Sequence, residues 1–213
     1  MNDTHSRWQW LKRYPYASAF VVGIVLVTLS VPFFRRVPRA PAPIGTMPAW
    51  TFQDAAGHDV ASTSLGGRTY LFVLTSATCE GSCARVGRDL ALMQGLLAKV
   101  KADASIVSVD IGGGGGAALG SYLTRSGGQP EGWLALGGSP ESACAVARAS
   151  FAKVRRIELP CERLHDLTDD PHALIVDGQG SIRACIRLDR EGLDEAFHRM
   201  LAVVENRPVE QAP

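Results

Sequence analysis

An uncharged apolar segment near the N-terminus constrains the architecture of this chain more than any other feature. It runs from Tyr14 to Phe34 and reads YPYASAFVVGIVLVTLSVPFF. A helix of this length is about as long as the hydrocarbon core of a bilayer, roughly 30 Å. A cleaved signal peptide normally has a shorter apolar region and a small-residue cleavage site, which the following RRVPRAPAP does not offer. The segment is therefore predicted to be a single transmembrane anchor.

The orientation of this anchor does not follow from the flanking charges. Three basic residues stand on each side of the segment, at Arg7, Lys12 and Arg13 before it and at Arg35, Arg36 and Arg39 after it. A positive-inside comparison is therefore close to a tie. A short head, one helix and a large C-terminal domain form the usual signal-anchor layout, and five cysteines suit an oxidising compartment. We expect the domain on the extracytoplasmic, periplasmic side of the cell membrane.

The rest of the 213-residue chain has room for one globular domain. Four prolines in RRVPRAPAPIGTMP predict an extended linker over residues 35–48, after a short head at 1–13. The domain is predicted over residues 49–207, with a tail at 208–213. Lys and Arg number 22 against 21 Asp and Glu, so the net charge gives no reason to expect a nucleic-acid partner.

Strand and helix patterns alternate through the predicted domain. An edge hairpin near Trp50 precedes the continuous apolar run TYLFVLTS, which is typical of a strand buried on both faces. Helix-period and strand-period segments then follow in the order CARVGRDLALMQGLLAKV, ASIVSVD, GAALGSYLTRSGG, GWLALGG, SPESACAVARASFAKV, HALIVD, SIRACIRL and a final helix. This order predicts an α/β fold with a mixed sheet.

Two cysteines, Cys79 and Cys83, lie where the first buried strand passes into a helix. Strand ends in open α/β sheets commonly present reactive groups, and a helix N-terminus stabilises thiolates. Residues four apart lie on one helix face with Cβ atoms about 5 to 6 Å apart, so the two sulfurs can bond or flank one metal ion. The spacing leaves open a soft metal site, a redox pair and a structural crosslink. Two thiolates suit Cu(I), and an added imidazole also suits Cu(II) or zinc.

A metal site on this pair needs a third donor. Among five histidines, His172 is best placed because DDPHALIVD sets it at the start of the next-to-last strand. His165, seven residues earlier, is a reserve candidate. Taken alone, His172 is better interpreted as a partly exposed histidine at the start of a strand than as a metal ligand. His58 and His198 are interpreted as surface residues, and His5 precedes the apolar segment.

From about residue 49 to 205 the sequence resembles the Sco/SenC family. These are thioredoxin-fold proteins, anchored by one N-terminal helix, that deliver copper to the dinuclear copper centre of cytochrome c oxidase. The family motif Thr-Ser-Cys-x-x-x-Cys is matched by LTSATCEGSC, with two extra residues between Ser76 and Cys79. A strand ending in Ser-x-Asp is matched at Asp110, a Gly-Trp pair at EGWLALGG, and a histidine opening a strand that ends in Asp-x-x-Gly at His172.

The resemblance implies a thioredoxin-like fold with an N-terminal edge hairpin and copper ligands at Cys79, Cys83 and His172. It implies a membrane-anchored chaperone that binds Cu(I) or Cu(II) and passes it to the copper-bearing oxidase subunit or another thiol or copper protein, without turnover chemistry. The alternative is an extracytoplasmic thiol–disulfide oxidoreductase, which needs the cysteine pair but not His172. A redox- or copper-responsive regulator is a third, weaker hypothesis.

Two departures from the family pattern surround the cysteine pair. Glu80 and Ala84 follow the cysteines where family members usually have proline, and a carboxylate beside Cys79 disfavours its thiolate. The glycine run 112–116 replaces an acidic, proline-containing loop after Asp110. Because Ala117 follows this run rather than Lys-Ser or Lys-Thr, we predict a flexible loop and not a phosphate-binding loop.

The three remaining cysteines are interpreted from their surroundings. Cys185 lies between Ile182 and Ile186 in a predicted strand and is read as a buried small hydrophobe. Cys144, on a predicted helix, and Cys161, in the following loop, can form a structural disulfide in an oxidising compartment, but the sequence alone leaves that pairing open.

Overall fold

The computed structural model describes residues 15–34, 40–79 and 81–205. The predicted head, residues 35–39 of the predicted linker, Glu80 and the predicted tail lie outside the described residues. The chain divides into two units, residues 1–38 and 39–213. In the first unit, helix α1 spans Pro15–Phe34, and its described side chains are almost all exposed. Of the helices within the described ranges, none is both long and apolar enough to cross a membrane.

The second unit is built on one mixed sheet, and the prediction of an α/β fold is confirmed. Its strands within the described residues are β1 Gly45–Thr46, β2 Thr51–Gln53, β3 Asp59–Ala61, β4 Thr69–Thr75, β5 Ala104–Asp110, β6 Trp133–Gly137, β7 His172–Val176 and β8 Ser181–Arg187. They lie in the order β1-β8-β7-β4-β5-β6-β2-β3. Strands β4, β5 and β6 run parallel, and the other pairs are antiparallel. The predicted hairpin, β2–β3, forms one edge.

Helices cover both faces of this sheet. The described helices of the second unit are α2 Ser82–Lys99, α3 Gly116–Ser126, α4 Pro140–Ala147, α5 Lys153–Arg155, α6 Asp166–Asp169 and α7 Arg190–Glu205, and a π-helical turn, Arg148–Ala152, joins α4 to α5. Apolar side chains of α2, α3 and α7 form one core layer with Leu71 and Val73 of β4. Those of α4 form the other layer, with Phe72 and Leu74. Every residue of β4 is buried, as its continuous apolar sequence predicts.

The segment just before the domain contributes a strand that the sequence did not predict. Gly45 and Thr46 pair with Ile182 and Ser181 of β8, and the Ile44 amide donates to the Ile182 carbonyl at 2.8 Å. Met47 is buried in the core. A two-residue strand has no periodicity of its own, and its partner lies far along the chain, so only the tertiary fold reveals it.

Candidate functional site

The cysteine pair lies at the entry to α2: Cys79 is in the loop that follows β4, and Cys83 is the second residue of α2. Cys79 and Cys83 form a disulfide with their Cα atoms 5.8 Å apart. Cys83 is 2% exposed, and Cys79 is half-buried. Gly81 turns the chain into the helix at φ 103°, a conformation that residues with a Cβ rarely adopt. The described residues of the first turn of α2 carry no acidic side chain. No carboxylate of these residues therefore offsets the positive end of the helix dipole near the two sulfurs.

Asp110 fixes the base of the cysteine loop. It is the last residue of β5, lies in register with Thr75, and is 1% exposed. One carboxylate oxygen accepts hydrogen bonds from the amides of Ala77 at 2.7 Å and Gly112 at 3.1 Å, and the other accepts from Gly114 at 2.6 Å. A single buried carboxylate therefore holds both the cysteine loop and the glycine run. The sequence offered only one signal for this role, an Asp that ends the strand next to the cysteine-bearing strand.

The backbone carbonyl of Ala77 is also hydrogen-bonded by a side chain. The Arg125 guanidinium, at the end of α3, donates to the Ala77 carbonyl at 2.7 Å. Beneath it, Tyr122 is buried and meets Trp133 edge-on, with ring centroids 6.0 Å apart. Burial raises the pKa of Tyr122 to about 12, so this side chain stays neutral under the loop. Both backbone polar groups of Ala77 are thus satisfied by side chains from distant elements.

The glycine run is held in place by neighbouring elements. The backbone amides of Gly112 and Gly114 donate hydrogen bonds to the Asp110 carboxylate. Gly116 begins α3 beside the carbonyl oxygen of Ala55, and a Cβ on Gly116 would overlap that oxygen. The absence of side chains lets the loop approach both the buried carboxylate and the edge hairpin closely.

His172 opens β7 as predicted, but its side chain faces away from α2. Along β7, Leu174 packs in the core layer of α4 and Ala173 in the layer of α2, so strand alternation puts His172 on the α4 side. Its Nδ1 lies 2.8 Å from the carbonyl oxygen of Asp170, and it lines a cavity of about 550 Å³ together with Cys185. Within residues 15–34, 40–79 and 81–205, no three His, Cys, Asp or Glu side chains lie close enough together to hold a metal ion.

His165, the reserve candidate, immediately precedes α6, and α6 packs against α2 and β4. Its side chain is 68% exposed, with Nε2 3.2 Å from an oxygen of Asp166. The structure therefore puts His165 next to an element that contacts the cysteine-bearing helix. The side chains of His58 and His198 are exposed, in agreement with their interpretation as surface residues.

The other cysteines lie on the α4 side of the sheet. Cys144 of α4 and Cys161 form a second disulfide, with Cα atoms 5.5 Å apart. Cys144 is 1% exposed, whereas Cys161 is exposed. Cys185 is a free thiol that packs partly buried against the α4 layer. Burial raises the pKa of this thiol to about 11, which makes it a weak nucleophile.

These features define a class of fold: a thioredoxin-like domain with an edge hairpin and a cysteine pair at the entry to its first helix. The solved structures most similar to it include Sco/SenC family proteins, so the predicted resemblance is confirmed for the fold. No family model matches the sequence, and no curated protein is a significant match.

Three of the matching structures illustrate the range of proteins that share this fold. BsSco, a member of the Sco family of cytochrome c oxidase assembly proteins that is described with a disulfide switch, matches with a TM-score of 0.67 and 18% identity, over 79% of this chain and 98% of its own. Yeast Sco1 with copper bound matches with a TM-score of 0.58 and 17% identity, over 80% and 99%. A protein from Bacteroides thetaiotaomicron assigned as a disulfide isomerase matches with a TM-score of 0.54 and 16% identity, over 79% and 95%.

Proposed function

We propose that this chain is a copper chaperone: Cys79 and Cys83, once reduced, bind one copper ion and pass it by ligand exchange to the copper-bearing subunit of cytochrome c oxidase or to another thiol or copper protein. The observation that carries the proposal is the meeting of two sulfurs at the N-terminus of α2. The same fold occurs in yeast Sco1, which has been solved with copper bound.

The thiolates of Cys79 and Cys83 and a nearby histidine are suitable ligands for copper as the transported ion. Reduction of the disulfide gives two adjacent thiolates, which are soft ligands that favour Cu(I). A third, imidazole donor comes from His172, which stands one residue before Ala173, the register partner of Val73 near the end of β4. To reach the sulfurs, His172 must leave the Asp170 carbonyl and turn from the α4 side of the sheet toward α2. His165 is the second choice because it adjoins α6, which contacts α2.

We further propose that α1 anchors the domain to the cell membrane through a linker that ends before β1, and not at residue 48 as predicted, because Gly45 and Thr46 pair with β8. The helix contains no charged residue, and Phe20, Leu26 and Leu29 expose most of their apolar side chains. Burying such surface in lipid is favourable, at about 25 cal/mol per Å². Two disulfides support an extracytoplasmic domain, because thiols in the cytoplasm are kept reduced.

The test is a copper titration of the reduced full-length chain in detergent, with a competing chelator. Cys79→Ser/Cys83→Ser should abolish binding, and His172→Ala should weaken it at least tenfold if that imidazole is the third ligand. His165→Ala is measured in parallel to decide between the two histidines, and His198→Ala, an exposed residue of α7, is the matched control. Equal copper affinity in the wild type and the double cysteine variant would exclude the chaperone function.

A thiol–disulfide oxidoreductase is the second candidate, and the observed Cys79–Cys83 disulfide favours it. One sulfur of the reduced pair attacks a partner disulfide, and the other resolves the mixed disulfide. This chemistry predicts rapid reduction of a test disulfide by the reduced chain, at the same rate in the His172→Ala and His165→Ala variants. Rapid reduction together with an absence of copper binding would select this function over copper delivery.

A further inference from the structure

We propose that the Cys144–Cys161 disulfide is a second thiol–disulfide exchange site, separate from Cys79 and Cys83. Its substrate is a small thiol that carries both carboxylate and ammonium groups, the class that includes cysteine and short cysteinyl peptides. The proposal does not depend on whether the first cysteine pair binds copper.

The two sulfurs of this disulfide differ in access. Cys144 lies within α4 and is 1% exposed, in a core layer with Ala147 and Phe151. Cys161 is exposed and begins a short 3₁₀ turn, Cys161–Arg163. A thiolate in solution can therefore approach Cys161, whereas Cys144 is enclosed by the core. Access of this kind decides which sulfur is attacked in thiol–disulfide exchange.

A groove of about 710 Å³ opens beside Cys161 and gives the site a binding surface. Arg148 and Lys153 line it with two positive charges, and Glu158 and Glu162 line it with two negative charges. All four side chains are exposed, and none forms an ion pair with another described residue. Unpaired charges of both signs complement a thiol that itself carries both signs, whereas a neutral thiol gains nothing from them.

Neighbouring leucines keep the exchanging segment in place. Leu159 and Leu164 flank Cys161 in sequence, are 7% and 5% exposed, and pack in the same core layer as Cys144. This packing holds the segment on the domain without the disulfide, so the two cysteines stay near one another after reduction. The pair can then close again, as a reversible site requires.

The exchange takes place in two steps. The substrate thiolate attacks the sulfur of Cys161 and forms a mixed disulfide, while the bond to Cys144 breaks and the Cys144 thiolate takes a proton from water. A second substrate thiolate attacks the mixed disulfide, which releases the Cys161 thiolate and the oxidised substrate. Two substrate thiols lose two electrons, and the protein disulfide gains them. The reverse direction oxidises the protein dithiol with the substrate disulfide.

The test follows each disulfide of the full-length chain separately. The chain, in detergent without denaturant, is incubated with reduced glutathione or with 2-mercaptoethanol, alkylated, and digested with trypsin. Peptides 126–148 and 157–163 report on Cys144 and Cys161, and peptide 69–85 reports on the first pair. The proposal expects reduction of the second disulfide under these native conditions. In a Cys144→Ala variant incubated with oxidised glutathione instead, the free Cys161 thiolate should attack the glutathione disulfide, which gives a glutathione adduct on Cys161 and releases one reduced glutathione.

The groove is tested with Arg148→Gln/Lys153→Gln, and Lys99→Gln/Lys101→Gln serves as a matched control away from the groove. The groove variant should slow the reaction with glutathione about three- to tenfold and leave that with 2-mercaptoethanol unchanged. A second disulfide that is reduced only after denaturant is added is a structural crosslink, and the proposal then fails. It also fails if the groove variant slows both thiols equally or slows neither.

Discussion

One carboxylate oxygen of Asp110 lies 2.7 Å from the backbone nitrogen of Ala77, and this hydrogen bond ties the end of β5 to the loop that carries Cys79. The same side chain accepts two further amides from the glycine run. Amide hydrogen bonds to an ionised carboxylate are among the stronger ones in proteins, and this carboxylate is buried. The geometry of the cysteine pair therefore depends on a residue that lies 33 positions beyond Ala77 in the chain.

Asp110→Asn should loosen the cysteine loop. The amide keeps one acceptor oxygen but turns an NH₂ group toward the backbone amides of Ala77 or Gly114, so we expect a loss of about 1 to 3 kcal/mol in the free energy of unfolding. We also expect a changed reduction potential for Cys79–Cys83 and an unchanged one for Cys144–Cys161. Chemical unfolding and redox titration measure the two effects. Asp169→Asn, at an exposed position of α6, is the control, and equal effects of the two substitutions would contradict the role of Asp110.

Two neighbouring glycines provide a matched test of the glycine run. A Cβ on Gly116 would overlap the carbonyl oxygen of Ala55, whereas a Cβ on Gly115 would meet nothing within 4 Å. Gly116→Ala should therefore lower the melting temperature, because the backbone of the edge hairpin has to move. Gly115→Ala, at φ −71°, should leave it unchanged or slightly raised. Thermal unfolding of both variants checks this, and equal melting temperatures would mean that the run does not pack tightly against the hairpin.

Removal of the second disulfide should destabilise the domain. The bond closes a loop between residues 17 positions apart, and a crosslink of this length typically contributes about 2 to 4 kcal/mol by restricting the unfolded chain. Cys144→Ala/Cys161→Ser should lose an amount of this order in urea unfolding. Cys185→Ser, which breaks no disulfide, should lose less than about 1 kcal/mol. A loss no larger in the double variant than in Cys185→Ser would show that the crosslink does not stabilise the fold.

Stability should fall in alkaline solution. Burial raises the pKa of Cys185 from 9.0 to about 11 and the pKa of Tyr70 and Tyr122 from 10.0 to about 12. The folded state therefore holds these protons more tightly than the unfolded state. Their contribution to stability is complete below about pH 9 and is lost as the pH rises through the folded-state values. Urea unfolding between about pH 8 and 10.5 should show this decline.

The Cys185→Ser variant isolates one part of that alkaline decline. Because it removes the group that titrates first, the loss of stability should begin at higher pH in this variant than in the wild type. An identical pH dependence in the two proteins would mean that the Cys185 thiol is not protected by burial.

Local sequence patterns predicted most of the regular elements of the domain, because each of these depends on a short stretch of chain. The uninterrupted apolar run of β4 indicated a strand buried on both faces, and the spacing of Val86, Leu90 and Met93 indicated the buried stripe of α2. The position of Cys79 and Cys83 where β4 passes into α2 followed from the same two patterns. No such pattern existed for β1, whose two residues gain their conformation only by pairing with β8.

The sequence by itself determined the order of the longer strands and helices and the proximity of Cys79 and Cys83, because side-chain periodicity and a spacing of four act over a few residues. Only the tertiary structure decided which side chains surround that pair. Asp110 reaches it because β4 and β5 lie side by side in parallel register, and His172 faces the other core layer because of its position in the alternation of β7. These relationships arise from the packing of segments that are distant in sequence.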